Sequence, residues 1–164
     1  MLLTLLTSPK AFFVSLKASS GSSLGMAALM LGLVILVPNV ALTLMGVQPQ
    51  AFLLTSIAIY LIFFAALIGF TALLSSGAGL LHSLEVVAYS ALPFLIAVTL
   101  LSSLSVFGQA GVTIGQTLTL VGLLMGWYRL FVGLEVMSAS RAAALRGALL
   151  GPLAAFLEIG RAHV

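Results

Sequence analysis

Four long apolar runs, separated by short polar or glycine-rich segments, dominate the hydropathy pattern of the chain. The apolar runs are residues 24–45, 52–74, 86–104 and 112–134. A helix needs about 20 apolar residues to cross a bilayer, so each run predicts a transmembrane helix. The separating segments are residues 46–50, 75–82 and 105–111. Because these connections are short, consecutive helices are expected to run antiparallel.

The beginning of the chain predicts a short helix at the membrane surface. Ser8-Pro9 is typical of a helix start, with serine at the N-cap and proline in the first turn. The large apolar side chains that follow fall on one side of this helix: Phe12, Phe13 and Leu16. Lys10 and Lys17 are available to lipid headgroups, as in interfacial helices. A disordered tail is the alternative interpretation.

The end of the chain predicts a fifth helix that is too short to cross the bilayer. Its apolar run, residues 147–157, covers 11 positions, about half a bilayer at 1.5 Å per residue. Residues 158–164 resemble the translation of a common sequencing-library adapter. We therefore predict one domain over residues 1–157 and a non-native tail over residues 158–164. The predicted fold is all-α: a polytopic transmembrane bundle with four complete spans and a truncated fifth, preceded by the interfacial helix.

Composition places the chain in a membrane and its charges orient it. Of the 164 residues, 62% are hydrophobic and 5% are charged, whereas a soluble domain carries roughly 25% charged residues. Lys10 and Lys17 precede the first span, and Arg141 and Arg146 follow the fourth, while the alternate loops at Gln48 and Gln109 carry no charge. The positive-inside rule therefore predicts a cytoplasmic N-terminus in the cell (inner) membrane. Six scattered basic residues do not form a nucleic-acid surface.

Catalytic and metal-binding chemistry lack the residues they need. The chain has no Cys and no Asp, and its three acids are Glu85, Glu135 and Glu158. Residues 21–25 match the G-x-S-x-G pattern of serine hydrolases, but they lie in a linker and no Asp is available to orient a base. His82 is interpreted as a solvated loop residue. We expect no enzymatic activity, no cofactor and no metal.

The fourth span carries a stripe of small residues. At 100° per residue, Gly115, Gly122, Gly126 and Gly133 fall within about 20° of a single line. Such a stripe leaves a groove that lets another helix approach closely. The fifth helix repeats the small-residue spacing at Gly147 and Gly151 and is a candidate partner. We predict that the four glycines form a packing seam.

Arg129 lies inside the fourth apolar run, about 40° from the glycine stripe on the same projection. An arginine near a membrane face extends to the interface or pairs with an acid. Glu85, at the start of the third span, is the predicted partner, and Trp127 and Tyr128 fit an aromatic belt. This pattern favours an anchor with an ion pair over a substrate site.

Prolines interrupt two spans, and each interruption has two interpretations. Pro38-Asn39 lies in the first span and Pro93 in the third. A proline frees a backbone carbonyl, and the break can line a cavity. In the other interpretation, which we favour, the kinks are packed and Asn39 bonds across helices.

Three segments resemble motifs of one membrane-protein family, the Yip (Ypt-interacting protein) domain. Ser8-Pro9-Lys10-Ala11-Phe12-Phe13 is similar to its P-x-x-F-F opening, and Val87 to Pro93 is similar to its Y-S-x-x-P signature in the third helix. Trp127 to Leu134, with Ser138, Ser140, Arg141 and Ala142 after it, is similar to a later run and its loop. The resemblance covers most of residues 8–157. It implies five membrane helices with a cytoplasmic N-terminus.

The resemblance also bears on function. Eukaryotic members of the family bind Rab-type GTPases in vesicle traffic, whereas prokaryotic members have no settled role. The chain lacks the long polar N-terminal region of the eukaryotic members and is similar to the compact prokaryotic type. We therefore expect a non-enzymatic membrane scaffold that packs with itself or with membrane-protein partners. The alternative is a small transporter or channel component, with Pro38, Asn39 and Pro93 along its path.

Overall fold

The computed structural model describes residues 2–19, 24–44, 46, 49–77, 79–104 and 107–161. The helices are α1 (Leu2–Thr7), α2 (Pro9–Ala18), α3 (Leu24–Leu44), α4 (Leu53–Leu74), α5 (Gly79–Ser90), α6 (Leu92–Leu104), α7 (Gly108–Met137) and α8 (Arg141–Arg161), with one 3₁₀ turn, Gln50–Phe52, before α4. The predicted all-α helical bundle is confirmed. Residues 21–23 of the hydrolase-like pattern and the last three residues of the predicted tail lie outside the described residues.

Four segments of the described chain are long and apolar enough to cross a membrane. They are Leu24–Leu44, Gln50–Leu74, Gly79–Leu101 and Gly108–Met137. Helix α8 is not among them; it packs along α4 and against α7. Helix α7 packs along α6 and α5, and α3 covers the other side of α5 and α6.

The third span starts earlier than predicted and is divided. It begins at Gly79 rather than at residue 86, because Gly77 and Gly79 adopt positive φ angles of 101° and 66° and turn the chain sharply after α4. The division into α5 and α6 falls at Ala91, two residues before Pro93. Proline has no N–H to offer the carbonyl one turn earlier and its ring crowds that carbonyl. The early start moves Glu85 from the predicted helix entrance into the middle of α5.

The N-terminal segment differs most from the prediction. It forms two helices, α1 and α2, which we call the N-terminal arm, and the arm packs into the bundle rather than lying on it. Leu5, Phe12, Phe13 and Leu16 are at most 5% exposed. The Phe12 ring meets Tyr89 edge-on at 5.0 Å, so the aromatic side chains expected to face lipid fill space between α5 and α7 instead.

The arm and two loops lie together at one end of the bundle, here called the basic end. Lys17 Nζ donates to the Val136 carbonyl at the end of α7, at 2.7 Å. The Ala139 amide donates to the Ser76 carbonyl at 3.2 Å, which joins the loop after α7 to the loop after α4. The segments whose charges predicted a common side are therefore neighbours in space.

Candidate functional site

The four glycines of the α7 stripe lie against the third span at distances that exclude a larger side chain. A methyl group on Gly122 would lie 2.6 Å from Ala97 Cβ and 2.8 Å from the Pro93 carbonyl oxygen. On Gly126 it would lie 2.9 Å from the Ser90 carbonyl oxygen. Contacts under 3.0 Å force something to move, so helix backbones touch along this line. Gly115 and Gly133 make the same kind of approach to Leu101 and Val86.

The predicted partner of this seam was wrong. Gly147 of α8 lies nearest to Leu134 and Ser75, and Gly151 lies nearest to Thr71. The α8 glycines therefore bring α8 onto α4 and the end of α7, while the α7 glycines are covered by α5 and α6. The physical reason is topological: α5 and α6 come just before α7 in the chain and occupy its stripe. The seam is closed within one molecule and is not free for a second copy.

Arg129 is buried at the basic end rather than extended to the interface. The residue is 2% exposed, and its side chain is the largest of the fully buried side chains among the described residues. Its Nη2 donates to the Leu6 carbonyl at the end of α1, at 3.3 Å. Its Nη1 has no hydrogen-bond partner among the described residues. The arm shields this guanidinium from solvent, and its Leu6 carbonyl is the hydrogen-bond acceptor for Arg129 among the described residues.

Other buried polar groups lie on α5, the helix that faces Arg129's part of α7. Glu85 is 3% exposed, and Ser83, Tyr89 and Ser90 are equally enclosed. The hydroxyls of those last three residues have no hydrogen-bond partner within the described chain. Buried polar groups are normally bonded, and α5 and α7 carry four of the six residues in the described chain that have a buried side-chain polar atom without a hydrogen-bond partner. This region of α5 and α7 is the candidate functional site.

The predicted ion pair between Arg129 and Glu85 is not the one that the structure shows. An ion pair joins Arg141 Nε to Glu135 Oε1 at 3.5 Å, and the Arg129 hydrogen bond goes to Leu6. The sequence prediction placed Glu85 at a helix entrance and treated the arm as a surface element, whereas the structure places Glu85 inside α5 and the arm against α7. With the arm docked, the Leu6 carbonyl accepts the hydrogen bond from Arg129 Nη2.

The proline and asparagine positions are packed into the core. Pro38 is buried and Asn39 is 2% exposed. Asn39 Nδ2 donates to Ile35 O in its own helix at 2.7 Å, not across helices as expected. The Pro93 carbonyl lies against Gly122 in the seam.

Hydroxyl groups along the spans also bond locally. Thr71, Thr99 and Thr119 each donate to the carbonyl four residues earlier in their own helix, at 2.7–2.9 Å. A solute path needs polar groups that point into a shared space, and these point back at their own backbones. No group of three His, Asp or Glu within the described residues is placed to hold a metal.

One hydrogen bond between α7 and α8 was missed by sequence reasoning. Trp127 Nε1 donates to the Ala148 carbonyl at 2.6 Å. That carbonyl is four residues before Pro152, which lies inside α8 and has no N–H to bond it. The indole therefore satisfies the acceptor that the proline leaves free. The spacing between Pro152 and Ala148 was the available signal, but only the fold shows which donor arrives.

Comparison of the chain with protein-family models, curated proteins and solved structures gives no match.

Proposed function

We propose that this chain is a compact Yip-like integral membrane protein of the cell (inner) membrane. Its N-terminus lies on the cytoplasmic side. It acts without enzymatic chemistry, as a scaffold that binds a membrane-protein partner or a second copy of itself. The family part of the proposal is supported by the way the three motif segments meet. Phe12 of the first contacts Tyr89 of the second, and Phe13 lies against Gly133 of the third.

The packing of the spans is the observation that favours a scaffold function over a transport function. Several polar side chains within the spans, among them Asn39 and Thr99, bond to their own helices. The seam brings backbones into contact where a carrier needs an opening. A closed bundle of this kind acts through its outer surface rather than through an interior path.

The outer surface of α3 offers the clearest position for a partner helix. Gly25 and Gly32 have no neighbouring atom within 4 Å of a side-chain position, unlike the α7 glycines. Leu29 and Leu36 fall on the same line at 100° per residue and are 57% and 47% exposed. Glycines on an open helix face let a second helix approach closely.

Photo-crosslinking in native membranes tests the proposal. A photoreactive residue at Leu29 should give a discrete protein adduct, and Gly25→Ile with Gly32→Ile should remove most of it. The matched control is the same photoreactive residue at Leu61 of α4, which is 53% exposed and has no predicted partner. Equal adducts at both positions, or an adduct insensitive to the glycine changes, would overturn the proposed partner face.

The transporter alternative makes a different prediction at Asn39. The chain has no cysteine, so Asn39→Cys creates a single thiol. In our proposal this thiol is unreactive toward a membrane-impermeant thiol reagent, because position 39 is packed. Rapid labelling from water would favour a solute path and contradict the scaffold.

A further inference from the structure

A shallow groove of about 220 Å³ opens on the outer surface between α7 and α8. Apolar and aromatic side chains line it: Leu124, Trp127, Tyr128 and Phe131 from α7, and Leu145 and Leu149 from α8. The Trp127–Ala148 hydrogen bond ties the two helices together at this groove. From Leu124 to Phe131 the α7 wall extends about 10 Å along the helix axis.

The groove leads up to an ion pair between α7 and the start of α8. Glu135 is one turn beyond Phe131 on α7, and Arg141 is one turn before Leu145 on α8, so each continues a row of lining residues. Their side chains meet across the two helices at 3.5 Å, with Arg141 79% exposed and Glu135 28% exposed. An apolar groove thus ends, at the basic end, in one positive and one negative group.

We propose that this groove binds one zwitterionic phospholipid whose headgroup carries a primary ammonium. An acyl chain lies along Trp127, Phe131 and Leu149. The headgroup phosphate accepts hydrogen bonds from the Arg141 guanidinium, and the ammonium donates to the Glu135 carboxylate. This inference rests on the bilayer placement proposed above, but not on the partner face of α3.

The charges at the end of the groove select this class of lipid. Glu135 and Arg141 sum to zero, and the nearby Lys17 ammonium already donates to the Val136 carbonyl. A headgroup with both signs can therefore satisfy both groups, whereas an anionic headgroup leaves the carboxylate without a counter-ion. A trimethylammonium carries the same charge as a primary ammonium but has no N–H to donate. Arg146 is exposed, but it projects about 100° away from Leu145 around the α8 axis and therefore does not face the groove.

Trp127 is the only tryptophan in the chain and is 44% exposed in the groove, so it reports on the lipid beside it. The full chain is reconstituted in bilayers in which one lipid class at a time carries brominated acyl chains, and tryptophan quenching is measured. Brominated phosphatidylethanolamine should bind beside Trp127 about threefold more strongly than phosphatidylcholine, the size expected for partly exposed charge pairs. Glu135→Gln with Arg141→Gln should bring that ratio to about one, and Arg146→Gln should leave it unchanged.

The outcomes separate this inference from the bilayer placement. Equal quenching by all brominated lipids, or a preference for anionic phosphatidylglycerol, would overturn the groove assignment while keeping the protein in the bilayer. Absence of quenching by any brominated lipid would overturn the bilayer placement itself. A phosphatidylethanolamine preference that survives the double substitution would show that Glu135 and Arg141 do not read the headgroup.

Discussion

Trp127 and Pro152 form a pair in which one residue compensates for the other. Pro152 leaves the Ala148 carbonyl without its intrahelical donor, and the Trp127 indole supplies a replacement at 2.6 Å. The aromatic-belt interpretation of Trp127 accounted for its exposure but not for this bond. Each residue alone is unremarkable in a membrane helix, and their relation depends on α8 lying beside α7.

Substitution of both residues should show this coupling. Trp127→Phe should lower the free energy of unfolding by about 1 kcal/mol, the size of a strong hydrogen bond between membrane helices. In a Pro152→Ala background, α8 satisfies its own carbonyl, so the same substitution should cost much less. Unfolding in detergent measures all four variants. Identical costs in both backgrounds would mean that the bond does not contribute.

Arg129 donates a hydrogen bond to the Leu6 carbonyl of α1, beside the buried side chain of Leu5. Arg129→Met should free α1, because the Leu6 carbonyl loses its donor, while α2 stays anchored by Phe12 and Phe13. Amide hydrogen exchange in residues 2–7 should rise about fivefold, corresponding to about 1 kcal/mol, with little change in residues 9–18. The neighbouring Tyr128→Met, at an exposed position, is the control. Equal exchange changes in α1 and α2 would contradict this assignment.

At the scale of elements, the arm is anchored by side chains rather than by its charges. Phe13 is fully buried and Val14 beside it is 53% exposed. Phe13→Ala should cost about 3 kcal/mol of docking free energy, as for buried aromatic truncations. The undocked α2 backbone should then be cleaved by trypsin after Lys10, whose side chain is already exposed. Val14→Ala should leave cleavage at its original rate. If trypsin still does not cleave after Lys10 in the Phe13 variant, the Phe13 side chain does not anchor the arm in the bundle.

The seam predicts that substitution of α7 glycines destabilises the protein much more than substitution of α3 glycines. Gly122→Ile with Gly126→Ile inserts branched side chains where the Pro93 and Ser90 carbonyls already touch. The pair should lower the free energy of unfolding by about 3 kcal/mol or more. Gly25→Ile with Gly32→Ile meets open space and is the matched control. Equal stability of the two double variants in detergent would rule out the seam.

Local patterns predicted the helices but not their neighbours. The four apolar runs and the 3.6-residue period are properties of one segment, so the spans and the α7 stripe were readable in advance. Which helix covers the stripe depends on how all the helices pack together. The arm was misplaced because Phe12 and Phe13 look the same whether they face lipid or protein, and the start of α5 was missed because it rests on the turn geometry of Gly77 and Gly79.

At the scale of the whole molecule, the spans pack into a closed bundle. The seam fixes α7 to α5 and α6, the arm covers Arg129, and α8 closes against α4. The open surfaces include the α3 glycine face and the α7–α8 groove. In our proposal the molecule keeps one conformation while it binds a partner, whereas a carrier must separate its spans during each cycle.

Locking the seam while partner binding is measured tests this central claim most directly. Ala97→Cys with Gly122→Cys places the only two thiols of the chain at Cβ positions 2.6 Å apart, and a shift of about 1 Å gives disulfide geometry. Photo-crosslinking from position 29 is then compared in oxidised and reduced membranes. We predict the same adduct yield in both states, because binding needs no opening of the seam. Loss of the adduct on oxidation and its return on reduction would contradict the account.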